Sequence, residues 1–251
     1  MIFRRGTWDD AIWGSVTRDY PELPLRFAAG EVVLDAGCHT GAVTALCAER
    51  GARVIAYEAA FENFALARIN TRQYPQAEVR WGALWRSDRA PEPLRFTPAA
   101  NGDNTGGGGV LFGAPRVVAD GQRDLTGLLK AREVPSVPLD DVLREIGHAR
   151  VFKVDVEGAE FPMLLTSREL QRIDLMVGEI HGFTPDQMAN LPPDSRVESS
   201  TYTAELLARF LDDAGFAVLL RPVSDDPLRF LFSARFRRPG GELSADPEPS
   251  V

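Results

Sequence analysis

The sequence predicts an α/β protein built on a doubly wound, mostly parallel, seven-stranded sheet with an antiparallel hairpin at one edge. Short apolar segments alternate with helical segments of about ten residues, which is the pattern of βαβ units in a parallel sheet. The last two apolar segments are joined only by residues 221–227, and so short a link favours an antiparallel pair. A chain of 251 residues is long enough to bury one full core.

The individual elements follow from apolar periodicity and from glycine and proline at their ends. Runs rich in valine, isoleucine and leucine predict strands at residues 31–36, 52–57, 78–84, 151–156, 173–180, 216–220 and 229–236. Amphipathic spacing predicts helices at residues 41–50, 62–72, 158–171 and 204–214. In the second of these helices, Phe64, Ala67 and Ile69 are expected to form the buried side.

Three segments lie outside this alternation. Residues 1–30 precede the first strand and are expected to form a helical lid, whereas residues 31–236 form the main domain. The loop from Pro98 to Gly109 contains no stiff residue after Pro98, and we expect it to be mobile. The tail at residues 237–251 is rich in proline, glycine and acids, and we expect it to be disordered.

The composition excludes several classes of protein. The 28 basic and 36 acidic residues give a net charge of −8, which argues against a nucleic-acid partner because phosphate binding needs a basic face. No apolar run reaches the roughly 20 residues that span a bilayer, and no secretion signal is recognised, so a cytoplasmic location is expected. Cys38 and Cys47 would lie about 13 Å apart along a helix, too far for a disulfide, and are expected to be free thiols.

A strand that runs into a glycine loop and then a helix predicts a nucleotide-binding turn. Ligands of open α/β sheets bind at the carboxyl ends of the strands, and Gly37 and Gly41 allow the backbone to approach one closely. The dinucleotide fingerprint is incomplete, because residues 38–40 (Cys-His-Thr) replace its middle glycine. Asp35 places a carboxylate at the strand end, which suits a cationic amino-acid arm better than a polyphosphate. The predicted ligand is therefore S-adenosylmethionine.

Two further positions extend this predicted cofactor site. Glu58 ends the second strand, where an acid accepts hydrogen bonds from both ribose hydroxyls in this class of fold. Ala83 and Leu84 lie where the adenine edge would fall, although an alternative is that Leu84 and Trp85 belong to the core. His39 is expected to hydrogen-bond within the loop. The predicted cofactor residues are Asp35, Gly37, His39, Thr40, Gly41, Glu58, Ala83 and Leu84.

A second set of polar residues is expected at the same edge of the sheet. Lys153, Asp155 and Glu157 alternate along an apolar strand and would share one face. A buried strand seldom holds a lysine and two acids unless they pair or take part in chemistry. Glu179 and His181 end the next strand and would emerge beside them. These five residues are the predicted catalytic set. Glu160 follows in the first turn of the next helix and is expected only to complement the helix dipole.

Two stretches of the sequence resemble the signature of the FkbM-type methyltransferases, residues 137–143 and residues 152–160. The family's acid-x-His motif, one strand later, matches residues 179–181. Residues 5–9 and Tyr20 resemble its N-terminal motif. The similarity extends over about residues 4–235 and includes the helical positions Asn63, Phe64 and Asn70.

Two positions depart from the family pattern. The family's loop commonly reads Gly-Ala-Asn-x-Gly, whereas residues 38–40 here are Cys-His-Thr. The proline that usually follows the ribose acid is Ala59. The cofactor class survives both changes, but the hydrogen bonds of the loop must differ.

The resemblance implies a Rossmann-like class I methyltransferase that O-methylates a hydroxyl of a sugar or natural product. A hydroxyl must lose its proton as the new bond forms, which requires a general base or a metal. His181 is the expected base, with Asp155 orienting it or acting as base itself. Alternatively, Asp155, Glu179 and His181 hold Mg²⁺. In a purely structural alternative, His181 caps the strand end and Lys153 pairs with Glu157.

Other functions remain open from the sequence alone. A nicotinamide-dependent oxidoreductase would need the missing middle glycine of the fingerprint. An N-methyltransferase of a small amine or nucleoside would need an aromatic and amide clamp that the sequence does not reveal. A cofactor-binding scaffold without turnover is a third alternative. The expected partner is a small hydroxylated acceptor rather than nucleic acid or a membrane, and a homodimer is the oligomer considered.

Overall fold

The computed structural model describes residues 1–99, 103–110, 116–117, 123–124, 132–197, 201–223 and 226–238. Its α-helices are α1 (Asp9–Asp19), α2 (Ala42–Glu49), α3 (Phe61–Thr71), α4 (Leu139–Ile146), α5 (Glu160–Leu165), α6 (Pro185–Ala189) and α7 (Ala204–Asp213). Its strands are β1 (Val32–Ala36), β2 (Arg53–Glu58), β3 (Ala77–Trp81), β4 (Ala83–Trp85), β5 (Leu94–Phe96), β6 (Arg116–Val117), β7 (Arg123–Asp124), β8 (Arg132–Val134), β9 (Ser136–Pro138), β10 (Ala149–Val154), β11 (Ile173–His181), β12 (Phe216–Val223) and β13 (Asp226–Phe236).

A seven-stranded sheet forms the centre of the molecule, with the strand order β12-β13-β11-β10-β1-β2-β3. Within this sheet the five neighbouring strands β11, β10, β1, β2 and β3 pair in parallel. Strand β13 pairs antiparallel with both β11 and β12. The predicted fold class is therefore confirmed, including the antiparallel hairpin at one edge. The parallel arrangement brings the carboxyl ends of β1, β2, β10 and β11 to one edge of the sheet.

Both faces of the sheet are apolar and are covered by helices. Val33 and Val151 pack among residues of α1 and α2, whereas Leu34 and Phe152, their neighbours along the strands, pack among residues of α4, α5 and α7. All four side chains are fully buried, and each contributes about 1.5–3 kcal/mol to the free energy of unfolding. Strands buried on both faces explain why their sequences are continuous apolar runs rather than alternating ones.

The third predicted strand, residues 78–84, is in fact two strands that Gly82 separates. The backbone N–H of Gly82 donates to the carbonyl of Glu58, whereas that of Ala83 donates to the carbonyl of Pro135. The chain thus leaves the main sheet after β3 and pairs in parallel with β9 as β4. Apolar periodicity continues through the break, so the sequence alone did not reveal it.

The prediction of a strand at 151–156 and a helix at 158–171 was wrong in its boundaries. Strand β10 ends at Val154, because Glu157 and Gly158 take left-handed φ values of 54° and 97°. Helix α5 ends at Leu165 and is followed by a 3₁₀ turn at Leu170–Arg172. The carboxylate of Asp140 stabilises this interruption, since it accepts hydrogen bonds from the Ser167 hydroxyl and the Arg168 backbone.

Other expectations have mixed outcomes. On the predicted buried side of α3, Ala67 is fully buried and Phe64 is partly buried, but Ile69 is 40% exposed. Asn63 and Asn70 are buried instead. The two cysteines are free and buried, as expected. No helix in the described residues is both long and apolar enough to cross a membrane. The predicted tail beyond residue 238, and residues 100–102 of the predicted mobile loop, lie outside the described residues.

The contact between β10 and β11 provides a test of the sheet. A Cβ added to Gly178 would lie 1.7 Å from the Val154 carbonyl oxygen, so the strands would have to separate. We expect Gly178→Ala to lower the free energy of unfolding, measured by urea denaturation, by about 3 kcal/mol or more. A Cβ at Gly14, in α1, meets nothing within 4 Å, and Gly14→Ala should be neutral or stabilising by up to about 1 kcal/mol. Equal effects of the two substitutions would contradict this packing.

Candidate active site

A cavity of about 360 Å³ opens at the carboxyl ends of the central strands. Its floor is the loop between β1 and α2 together with the residues that follow β10 and end β11. Its roof is made by α1, the preceding Trp8 and residues 104–110. The cavity lining therefore includes residues from both of the polar sets that the sequence placed at this edge.

The loop after β1 is held in an unusual backbone conformation. Gly37 and Gly41 have φ values of 72° and 93°, and a Cβ at Gly37 would lie 1.9 Å from the Asp155 carbonyl oxygen. His39, between them, also has a left-handed φ of 51°. Such a conformation is strained for a residue with a side chain, and it persists only when its surroundings hold it in place. The glycines allow the loop to pass directly over the end of β10.

Asp35 lies beneath this loop and does not line the cavity. Its carboxylate is fully buried, accepts a hydrogen bond from the Thr44 hydroxyl at 2.6 Å and lies 3.6 Å from the Lys153 ammonium. Burial raises the pKa of Asp35, and the Lys153 ammonium opposes that shift. The predicted direct contact between Asp35 and a cofactor ammonium group is therefore wrong for this geometry. Thr40 and Gly41 likewise lie outside the cavity lining.

Lys153 fixes the loop from below. Its buried ammonium donates to the carbonyl oxygens of Gly37 at 2.7 Å and Ala36 at 3.3 Å, and it lies 3.6 Å from both Asp35 and Asp155. Burial lowers the pKa of Lys153, but the two carboxylates raise it by more, so the group is charged. The alternative pairing with Glu157 is not observed. Lys153 thereby holds the loop after β1 and the Asp155 carboxylate in place.

Glu58, Ala83 and Leu84 form the wall expected for a nucleoside. The two oxygens of the Glu58 carboxylate accept hydrogen bonds from the backbone N–H groups of Ala60 and His39, each at 2.8 Å. Each oxygen keeps a further lone pair, and Glu58 lines the cavity. Burial raises the pKa of Glu58 to about 7. Ala83 and Leu84 also line the cavity, and Leu84 and Trp85 are part of the hydrophobic core, as the alternative stated.

The acids after β10 and the histidine at the end of β11 come together in the cavity. Asp155 and Glu157 lie beyond the end of the strand, so the predicted alternation along one strand face is wrong. The turn nevertheless brings Glu157 to 3.6 Å from His181 Nε2, while Glu179 lies 3.4 Å from the same atom. The residues predicted from the sequence thus come together in the cavity, although through a different local geometry.

Glu160 belongs to this cluster, although the sequence indicated only a helix-dipole role for it. Its carboxylate is fully buried, lies 3.0 Å from His181 Nδ1 and accepts the backbone N–H of Val156 at 3.1 Å. A carboxylate at Nδ1 fixes the orientation of an imidazole and directs Nε2 away from it. Glu157 and Glu160 are three residues apart in the sequence, and their carboxylates lie at opposite ring nitrogens of His181. This spacing is the sequence feature that could have indicated a role for Glu160.

Glu179 is engaged by Arg229, a residue that the sequence did not single out. The guanidinium Nε of Arg229, on β13, donates to Glu179 at 2.6 Å, because β13 pairs with β11 in a register that sets Arg229 opposite His181. Glu179 is thus part of an ion pair. Among the described residues, the group whose ligand atoms lie within 4.8 Å of one another is Asp155, Glu157 and His181. The predicted Mg²⁺ set that used Glu179 is replaced by this one.

Asp155 is held from two sides. The Tyr20 hydroxyl donates to it at 3.2 Å, and the Lys153 ammonium lies 3.6 Å away. Burial raises the pKa of Asp155, but Lys153, His181 and Arg229 together lower it below its usual value. Asp155 is therefore ionised at neutral pH and faces the cavity as a carboxylate. The sequence pointed to Tyr20 only through the family resemblance.

Glu157 and His181 have opposite displacements from their usual protonation. Burial raises the pKa of Glu157 to about 7, although His181 lowers it. Burial lowers the pKa of His181, but Glu160 and Glu157 raise it by more, and the pKa lies well above its usual range. At neutral pH His181 is an imidazolium, whereas Glu157 is the group that changes protonation.

Solved structures that align with the chain include precorrin-6y C5,15-methyltransferase from Geobacter metallireducens, with 10% identity, 94% of each chain covered and a TM-score of 0.41. The N-terminal domain of EvdMO1, in the presence of SAH and D-fucose, is 12% identical over 90% of this chain and 82% of its own, with a TM-score of 0.45. The CurJ carbon methyltransferase is 10% identical over 90% of this chain and 53% of its own, with a TM-score of 0.43. No curated protein matches the sequence significantly.

The family comparison covers both halves of the cavity floor. A model of the methyltransferase FkbM domain matches residues 35–218, which include the loop after β1, Glu58 and the cluster around His181. The matched range is most of the chain. The chain therefore belongs to the FkbM methyltransferase family and is an S-adenosylmethionine-dependent methyltransferase.

Proposed function

We propose that the protein transfers a methyl group to a hydroxyl oxygen of a small acceptor, of the sugar or natural-product class. The observation that carries the proposal is the Glu157–His181 pair, which faces the same cavity as the cofactor loop. S-adenosylmethionine, when bound, supplies an electrophilic methyl group. The residues of the chain must hold the acceptor hydroxyl in line with that group and remove its proton as the C–O bond forms.

Glu157 is the proposed proton acceptor. A general base works best when its pKa is close to the working pH, and burial raises the pKa of Glu157 to about 7. The imidazolium of His181 holds the Glu157 carboxylate, and Glu160 in turn holds His181. His181, the base expected from the sequence, thus becomes the residue that positions the base. Asp155 remains ionised and can accept a hydrogen bond from a second hydroxyl of the acceptor.

The charge of the cavity supports a neutral or cationic acceptor. Asp155, Glu157 and Glu179 all line the acceptor side. Arg229 is the cation beside Glu179, and it already forms an ion pair with that carboxylate. A phosphate or carboxylate on the acceptor would therefore face excess negative charge in a partly desolvated site.

The two buried free thiols also agree with the proposed cytoplasmic location, where thiols stay reduced.

The proposal is tested by incubating the protein with trideuteromethyl-labelled S-adenosylmethionine and a panel of uncharged sugars, glycosides and hydroxylated natural products. Mass spectrometry and NMR of the product then identify the atom that carries the label. We expect an O-methyl ether. Label on nitrogen or carbon would overturn the O-methyl assignment. Thermal stabilisation by NAD without stabilisation by S-adenosylhomocysteine would contradict the cofactor itself.

Substitution of the proposed base should separate chemistry from cofactor binding. We expect Glu157→Gln to lower kcat about 100-fold or more, because the amide cannot accept the proton. His181→Ala should cause a similar loss, since Glu157 then lacks the cation that orients it. Calorimetric titration should show that the Kd for S-adenosylhomocysteine stays within about threefold of wild type in both variants.

The matched control is Glu205→Gln, which removes an exposed carboxylate in the first turn of α7. Its kcat should equal that of the wild type. Persistent turnover in Glu157→Gln together with full loss in His181→Ala would return the base role to His181.

The pH dependence follows from the raised pKa of Glu157. The base must be ionised, so kcat should fall tenfold per pH unit as the pH decreases through about 7. Glu58 also has a pKa raised to about 7, so the measurement requires saturating S-adenosylmethionine, at which cofactor affinity no longer matters. The limb near pH 7 should be absent in Glu157→Gln. A flat wild-type profile between about pH 5.5 and 8.5 would count against Glu157 as the base.

A metal-assisted version of the same transfer has one observation in its favour, the close approach of ligand atoms from Asp155, Glu157 and His181. Mg²⁺ held there would lower the pKa of the acceptor hydroxyl. We nevertheless expect kcat to be unchanged after EDTA treatment, because two cations of the chain, the Lys153 ammonium and the His181 imidazolium, already lie within 3.6 Å of these carboxylates. Loss of activity that added Mg²⁺ restores would support the metal version and displace Glu157 as free base.

A further inference from the structure

His39 is one of the three residues, 38–40, at which the cofactor loop departs from the common family pattern, and it has no part in the chemistry proposed above. Its imidazole is buried, and its backbone has a left-handed φ of 51°. Burial lowers the pKa of His39 to about 4, so the ring is neutral at physiological pH. A strained, buried and neutral histidine in a ligand-binding loop requires partners that hold it there.

The hydrogen bonds of His39 lead into the roof of the cavity. Its Nε2 lies 2.9 Å from the Thr105 hydroxyl, which in turn donates to the Asp9 carboxylate at 2.7 Å. The Asp9 carboxylate can only accept, so the Thr105 hydroxyl must accept from His39, and Nε2 of His39 carries the proton. The tautomer of His39 is thereby fixed by two partners in the roof.

The chain of bonds closes into a ring. Arg4 donates to both oxygens of Asp9, each at 3.0 Å, and to the side-chain oxygen of Asn63 at 2.7 Å. The Asn63 amide donates to the backbone carbonyl of Thr105 at 3.0 Å. Asp9 is fully buried, and a buried carboxylate is stable only while it is paired. The ring therefore joins three parts of the chain that lie far apart in the sequence, and His39 of the cofactor loop is bonded to it through Thr105.

The three parts are residues 4–12, which supply Arg4 and Asp9, residues 103–110, which supply Thr105, and α3, which supplies Asn63. Trp8 and Ile12 from the first part and Asn104 and Gly106 from the second line the cavity above the acid cluster. The bond from Trp8 N–H to the Asp103 carbonyl joins these two parts directly. The ring thus ties the roof of the acceptor chamber to the cofactor loop.

The other end of His39 reaches the cofactor wall. Its backbone N–H donates to the Glu58 carboxylate at 2.8 Å, and Glu58 lines the cavity where a ribose is expected. Ribose hydroxyls that donate to the free lone pairs of Glu58 would keep this carboxylate, and hence the backbone of His39, in place. One residue therefore connects the nucleoside site to the roof through two consecutive hydrogen bonds.

We propose that His39 is a positioning residue that couples cofactor binding to assembly of the acceptor chamber. Cofactor occupancy fixes Glu58 and His39, His39 fixes Thr105 and Asp9, and the roof then closes over the space for the acceptor. The reaction consequently follows an ordered sequence, with the cofactor first and the acceptor second. This inference rests on the cofactor site of the proposed function, but not on the identity of the acceptor.

The test is amide hydrogen exchange with S-adenosylhomocysteine as the probe. In the wild type, saturating probe should slow exchange in residues 4–12 and 103–110 about tenfold or more. Thr105→Val removes the hydroxyl that binds His39 but keeps the shape of the side chain, and it changes no residue of the cofactor loop itself. We expect its roof segments to show less than about a twofold change, with the Kd for the probe within about threefold of wild type. Thr105→Ser, which keeps the hydroxyl, should behave like the wild type.

His39→Ala should reproduce the Thr105→Val result from the side of the loop. In assays with an identified acceptor, both variants should raise the acceptor KM more than they lower kcat, because the chamber rather than the base is altered. Roof protection by the probe that persists in Thr105→Val, or a wild-type roof that the probe leaves unchanged, would overturn the coupling. Failure of the probe to bind at all would instead contradict the cofactor assignment.

Discussion

The ammonium group of Lys153 lies at the point where the two halves of the cavity floor meet. It donates to the carbonyl oxygens of Ala36 and Gly37 and lies equally close to the carboxylates of Asp35 and Asp155. Burying an ammonium group costs free energy of folding unless the group is paired and fully hydrogen-bonded. The two carbonyl oxygens and the two carboxylates together offset this cost for Lys153. The cofactor loop and the first acid of the acceptor side are consequently positioned by one charge.

The same principle of compensated burial extends across the acceptor side. The imidazolium of His181 lies between Glu157 and Glu160, and the guanidinium of Arg229 pairs with Glu179. Burial raises the pKa of Glu157 to about 7, and the nearby Asp155 and Glu160 carboxylates act in the same direction, whereas His181 opposes the shift. Burial among other acids thus makes Glu157 a group suited to proton transfer at neutral pH.

The polar residues could be predicted from the sequence because charged side chains in apolar strands are rare. That argument, together with the family resemblance, selected Lys153, Asp155 and His181, and all three line the cavity. It assigned their roles less well. Strand alternation placed Glu157 on the face of a strand that in fact ends three residues earlier, and the helix-dipole argument treated Glu160 as structural although it orients His181. Arg229 was missed because its position depends on the register between β11 and β13.

The sequence by itself determined the sheet, the hairpin at one side of it and the end of the sheet at which the polar groups collect, because these follow from local periodicity and from glycine positions. It also determined the cofactor class, through the glycine loop and Glu58. The tertiary structure decided which groups pair. Whether Lys153 meets Asp155 or Glu157, and whether His39 meets Thr105 and Asp9, depends on backbone turns and on contacts between segments far apart in the chain. Pairing also sets the pKa values, and so the step from a list of residues to a proposed base required the three-dimensional arrangement.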